Sequence, residues 1–202
     1  MHLKGNEISY SKNLFAKICH PSLANNELSG PIVLNALLEY VKQSYPKSKY
    51  SYRFLIAPET IGSICYINKF EKKLKKRVMS GFNLTCVGDE DAYSYKETPY
   101  NNTISDDAIK AALIGKENVI PYTFLERGSD ERQYCSPGID LPVCTFCRSR
   151  FGKYPENHTS ADDFNVVTQK GLNDSLEVMK SIIDAFETAL LYFYSLIILL
   201  FK

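Results

Sequence analysis

The chain has 202 residues, with Lys and Arg totalling 24 against 23 Asp and Glu, a net charge of +1. That balance leaves no strong field to favour nucleic acid or an anionic membrane as partner. An apolar fraction of 45%, with 12% aromatics, argues against disorder and allows one α/β domain with a sizeable core. Six cysteines are too few for a disulfide scaffold, and the opening residues Met-His-Leu-Lys-Gly-Asn-Glu lack the apolar stretch of a signal peptide, so a reduced, cytoplasmic protein is expected.

Residues Asn13 to Ile18 read as a short strand that stops at Cys19-His20-Pro21, because Pro21 disfavours helix at His20. Ser22 to Gly30 reads as a polar loop. A helix follows, with Ser29 as cap, Pro31 in its first turn and Val33, Leu37, Tyr40 and Val41 as its apolar stripe. Tyr52 to Ala57 is an apolar strand with Pro58-Glu59 at its carboxyl end, and Thr60 to about Leu74 resumes helical spacing. A strand is expected over Met79 to Val87 and a helix over Ser105 to Leu113, with Gly115 as stop. Two more strands fall at Pro121 to Leu125 and Ile139 to Phe146, and a terminal helix starts near Leu172. This alternation is the pattern of an α/β sheet with helices on its faces, in which ligands gather at strand carboxyl ends.

The polar residues at those ends are the candidates for chemistry. His20 and His158 are loop histidines near carboxylates, so each either caps a backbone group or serves as a metal ligand. Glu59, directly after an apolar strand, suits a metal ligand or general base, or else a first-turn acid facing the helix dipole. Asp130, Glu131 and Arg132 form the densest polar turn, able to hold a substrate terminus or to satisfy one another. Cys144-Thr-Phe-Cys147 has no second pair to make a zinc ribbon and reads as buried strand. The basic run from Lys69 to Arg77 reads as a solvated helix face.

Four segments in order carry a resemblance: Cys19-His-Pro-Ser-Leu-Ala-Asn-Asn-Glu-Leu-Ser-Gly30, Tyr52-Arg-Phe-Leu-Ile-Ala-Pro-Glu-Thr-Ile-Gly-Ser63, Gly128-Ser-Asp-Glu-Arg-Gln-Tyr134 and His158-Thr-Ser-Ala-Asp162. From about Leu3 to about Glu187 the chain resembles the bacterial aminopeptidase-like proteins of the DUF4910 type, which are similar to zinc-dependent exopeptidases. The resemblance implies a zinc-exopeptidase (phosphorylase/hydrolase-like) architecture, a mixed sheet flanked by helices, with one or two zinc ions. It makes His20 and His158 the first and last zinc ligands. Glu59 stands alone where the zinc aminopeptidases carry two acids. Asn26 stands at the position of the bridging Asp, with Glu27 beside it as a substitute ligand. Thr85 stands at another Asp ligand, leaving Asp89 nearby, and Asp130 matches an acid of the substrate-side loop.

The family pattern is longer, so the chain reads as a partial domain over residues 1–187 followed by an apolar tail over 188–202. The tail looks like translation past a frameshift. It is short for a membrane span, which needs about 17–25 residues, although a tail anchor is the rival reading there. The expected function is a zinc-dependent, aminopeptidase-like hydrolase acting on a small peptide or amide near a free terminus. Glu59 would be its catalytic acid/base, His20, Glu27, Asp89 and His158 its metal ligands, and Asp130, Glu131 and Arg132 its substrate contacts. The rival is an inactive remnant or binding module on the same fold.

Overall fold

The computed structural model describes residues 2–3 and 10–188. In chain order the elements are β1 (His2–Leu3), β2 (Ser11–Ile18), α1 (Ser29–Ser44), β3 (Ser51–Pro58), α2 (Ile61–Arg77) and β4 (Val78–Leu84). There follow β5 (Tyr93–Lys96), α3 (Ile104–Ala112), β6 (Val119–Tyr122), α4 (Glu131–Tyr134), β7 (Val143–Cys147) and α5 (Gln169–Thr188). The expected apolar tail lies outside the described residues.

The strands form one mixed sheet in the order β1-β3-β2-β4-β7-β5-β6. Strands β3, β2, β4 and β7 run parallel, β1 and β5 are antiparallel to their neighbours β3 and β7, and β6 runs parallel to β5. Alternation along β2 sends Leu14 and Ala16 into a core with α1, α3 and α5, and Phe15 into a second core with α2 and α4. The sheet is thus covered on both faces, so even polar residues of its central strands, such as Asn13 and Asn83, are buried.

The order of β2, β3 and β4 positions the site. The chain leaves β2 for α1 on one face and leaves β3 for α2 on the other, while β2 and β3 are neighbours. Where adjacent strands send their connections to opposite faces, a crevice opens at their carboxyl ends. The residues after Ile18 and after Pro58 line it, and these two are register partners. Gly30 lets the start of α1 close onto this end of the sheet: a Cβ there would lie 2.6 Å from the Leu84 carbonyl oxygen.

Several expectations shift. Ser22 to Gly30 is not an open polar loop, because Ala24–Leu28 forms a π-helical turn and its Ala24, Asn25, Asn26 and Glu27 are buried. Ser29 lies inside the helix rather than capping it. Its hydroxyl accepts from the Val87 N–H at 2.9 Å and donates to the Asn25 carbonyl at 2.5 Å. Strand β4 ends at Leu84, three residues early, because Thr85 to Val87 turn toward that π-turn. The expected strands at Pro121 to Leu125 and Ile139 to Phe146 contract to Val119–Tyr122 and Val143–Cys147, and α5 starts at Gln169. Strand β5 was not expected, since four residues carry too little alternation to be read. Cys144 and Cys147 are buried in β7, and Lys69 to Lys76 keep their basic side chains exposed along α2.

Candidate metal centre

Strand β2 delivers Lys17, Cys19 and His20 to the crevice, and β3 delivers Glu59. The Lys17 ammonium lies 3.0 Å from Glu59 Oε2 and 3.4 Å from Glu27 Oε1, with its side chain 5% exposed. Burial works against its charge, but the two carboxylates outweigh it and hold Lys17 above its ordinary value. Glu27 is buried and fully used: its Oε2 accepts the Cys19 N–H at 2.6 Å and its Oε1 faces His20 Nδ1 at 3.2 Å. A carboxylate on Nδ1 fixes the ring and leaves Nε2 as the free donor, the usual arrangement behind a metal-bound histidine. Among the described residues, the ligand atoms of Cys19, His20 and Glu59 lie within 4.8 Å of one another. Burial, Glu59 and Glu27 push the Cys19 thiol up, so it is protonated near neutrality.

The loop before α5 brings His158 to the same place. Its ring centroid is 4.3 Å from that of His20, at a 37° tilt, and its φ of 60° turns the backbone sharply there. Four residues on, Asp162 ties this loop to the π-turn. Its carboxylate accepts the N–H groups of Asn25 and Asn26 at 2.6 and 3.1 Å and the Tyr154 hydroxyl at 3.2 Å. Asn25 then donates to Asp89 at 2.9 Å and accepts the Gly88 N–H at 2.8 Å.

Among the described residues, Asp89 does not join the Cys19, His20 and Glu59 group. Its carboxylate accepts the Ser149 N–H and hydroxyl, the latter at 2.7 Å, as well as Asn25. These bonds hold the turn after β7 rather than pointing the acid at His20. The Asp130 to Arg132 segment packs against the turn after Glu59. Asp130 Oδ1 accepts the Thr60 N–H at 2.8 Å and the Ser63 hydroxyl at 3.2 Å, while Arg132 Nη2 donates to the Thr60 hydroxyl at 3.1 Å. Burial and the Glu59 charge raise Asp130, and its bonds to Thr60 and Ser63 oppose them. Glu131 is buried against Lys96 at 2.8 Å and the Thr145 hydroxyl at 2.9 Å. Its burial would raise its pKa, yet Lys96 and the Gly128 and Ser129 N–H groups hold it low.

Thr60 explains why two residues grip it. It has φ 63° and ψ −65°, and the Ile61 N–H donates back to the Glu59 carbonyl at 2.6 Å. That is a γ-turn of the rare positive-φ kind, strained for a β-branched residue. The turn swings the chain from β3 into α2 immediately after Glu59, so the Asp130–Arg132 clamp fixes where Glu59 points. Sequence reasoning missed Lys17, Cys19, Thr60 and Asp162 as site residues. Only Lys17 left a signal, a lone cation in an otherwise apolar stretch of strand.

Imidazole, thiol and carboxylate are the donors zinc takes, and here they fit one ion. Asn26, which the resemblance sets at the place of a bridging Asp, offers no carboxylate to a second ion. That side chain is buried, its Nδ2 without a partner among the described residues and its Oδ1 3.5 Å from the Cys86 sulfur.

Residues 3–189 match the family model for a domain of unknown function, DUF4910. The chain belongs to that family. A Clostridium acetobutylicum relative, described as a candidate polysaccharide biosynthesis protein with an aminopeptidase-like domain, is 40% identical over 171 residues, 84% of this chain and 38% of its own length. The crystal structure of a candidate peptidase from Clostridium acetobutylicum is 37% identical with a TM-score of 0.86, covering 93% of this chain and 43% of that one. The zinc aminopeptidase BSAP of Bacillus subtilis shares the fold, with a TM-score of 0.78 at 18% identity over 91% of this chain and 48% of that one. The DUF4910 chain described above therefore has an aminopeptidase-like fold and spans less than half the length of these relatives. No helix among its described residues is long and apolar enough to cross a membrane.

Proposed function

We propose that this DUF4910 chain carries a one-zinc, aminopeptidase-like hydrolase centre that acts on a peptide or amide bond near a free terminus. The observation that supports it is the meeting of His20, Cys19 and Glu59 in the crevice between β2 and β3, with the His158 ring centroid 4.3 Å from that of His20. His20, His158 and Cys19 would hold the ion. Bound there, zinc supplies Lewis-acid polarisation of a carbonyl and activation of water. Glu59, its side chain 11% exposed, carries the proton from water to the leaving nitrogen. Glu27 keeps His20 oriented, and Asp130 with Arg132 keeps Glu59 in place through Thr60. In this reading Asp89 and Glu131 serve the structure around the site rather than the reaction.

The test is hydrolysis of aminoacyl anilides and small amides by the zinc-loaded chain beside Glu59→Gln. Turnover in the parent that falls by at least about 100-fold in the variant, as loss of a general acid–base group predicts, supports the reading. Zinc uptake without turnover of any substrate favours the second reading, a binding module on the same fold. Two observations support that second reading: Asn26 in place of a carboxylate, and Lys17 already paired with both Glu27 and Glu59.

A further inference from the structure

Lys17 is the least expected residue in the crevice. A lysine side chain is almost never this buried unless it is paired, and this one is paired twice. Its ammonium contacts carboxylates from two different connections, Glu27 of the π-turn and Glu59 at the end of β3. Removing two carboxylates from water is costly unless a cation between them offsets the loss of hydration. A divalent ion would meet that need, and here a residue of the chain meets it instead. We propose that Lys17 is a built-in cation that occupies the place of a second metal ion between Glu27 and Glu59, and so limits this site to a single divalent ion.

Charge and donors agree on this point. Glu27 and Glu59 bring two negative charges and Lys17 returns one, leaving too little charge for another divalent ion. The His20 and Cys19 side chains border that pair, His20 Nδ1 lying 3.2 Å from Glu27 Oε1. The His20 side chain is 40% exposed and Cys19 is exposed, so they can receive an ion without displacing the ammonium. Lys17 thus also holds Glu27 in position against His20 Nδ1, since both groups meet the same oxygen, Oε1. The inference rests on the one-zinc reading for the parent chain, but not for what removal of Lys17 does.

The experiment is zinc stoichiometry by calorimetric titration and elemental analysis on metal-stripped chains. The set is the parent, Lys17→Met, Lys17→Arg, and Lys17→Met combined with Glu27→Gln, each checked for a cooperative melt. Should Lys17→Met fail to fold, Lys17→Gln removes the charge while keeping a hydrogen-bond donor for Glu59. One ion in the parent and in Lys17→Arg, two in Lys17→Met and one again in the double variant is the expected pattern. One ion throughout would overturn the inference and leave the one-zinc reading intact. A second ion that persists in the double variant lies elsewhere and also overturns it. No ion in the parent but one in Lys17→Met would support the inference while sinking the one-zinc reading. No ion in any chain would overturn both.

Discussion

The Asp130 carboxylate accepts the Thr60 N–H at 2.8 Å, seventy residues away in sequence, and closes over the strained turn that follows Glu59. Asp130, expected at the substrate, thus also braces the turn that follows Glu59. Glycine takes a positive φ at little cost, whereas threonine does not. The clamp and the strain are consequently coupled.

That coupling is measurable in denaturant melts. Asp130→Ala leaves the Thr60 N–H without its acceptor, while the Ser63 hydroxyl keeps the Thr60 carbonyl at 2.9 Å, and a loss of about 1–3 kcal/mol is expected. In a Thr60→Gly background the same change costs less, by about 0.5 kcal/mol or more, because the turn no longer needs holding. Strictly additive costs would contradict the γ-turn account.

Lys12 gives a prediction in pH. It is 2% exposed, its Nζ lies 3.7 Å from the centre of the Phe186 ring, and burial lowers its pKa from 10.5 to about 7 despite the Glu187 charge. Below about pH 7 both folded and unfolded chains hold the proton, and the fold bears the full cost of the buried charge. Between about 7 and 10.5 the unfolded chain binds more protons than the folded one, so stability rises with pH. Lys12→Met keeps the packing and removes the charge. It should raise the melting temperature most below pH 7, with the advantage fading toward pH 10.5. A constant advantage across that range would count against the assignment.

How much of this was legible in the sequence differs by element. Strand β2, α1, β3 and α2 were readable because Pro21, Pro58 and the 3.6-residue spacing punctuate them locally. The crevice itself followed from strand ends. The π-turn at Ala24–Leu28 was not readable, because its N–H groups are satisfied by Asp162, 137 residues from Asn25. Asn25, Asn26 and Glu27 look like solvated loop until that acid arrives. Asp89 shows the converse: it sits near a strand end, and its bonds to Ser149, from a later turn, left no mark in the local sequence. Lys17 shows the same limit, since a lysine in a strand is ordinarily a solvated one.

Asp106 tests the other direction of pH. It is buried and accepts from the Thr98 N–H at 2.8 Å, the Thr98 hydroxyl at 2.5 Å and the Thr103 N–H at 2.9 Å. Burial would raise its pKa, but the bonds from Thr98 and Thr103 hold it below 3.8. Its contribution is present above the unfolded value of 3.8 and is lost as pH falls through the lower folded value. Asp106→Asn should cost about 1–3 kcal/mol at neutral pH, and the gap to the parent should close under acid. A gap that persists at low pH would mean that packing, not charge, sets the cost.

Asp162 connects the His158 loop to the turn beside His20, so it governs the spacing of the two histidines. Asp162→Asn should retain the fold and weaken zinc binding by about 10–100-fold, the usual effect of a group that orients a ligand without touching the metal. Competition titration against a chromophoric chelator reads this directly. Unchanged affinity would detach Asp162 from the metal centre.

The central claim is that the crevice between β2 and β3 is a one-zinc site built on the two histidines. Elemental analysis of the purified chain, loaded with zinc and passed free of excess, measures it beside a His20→Ala/His158→Ala double variant. One zinc per chain in the parent and none in the variant is the predicted result. No zinc in the parent, or an equal amount in both, would contradict it.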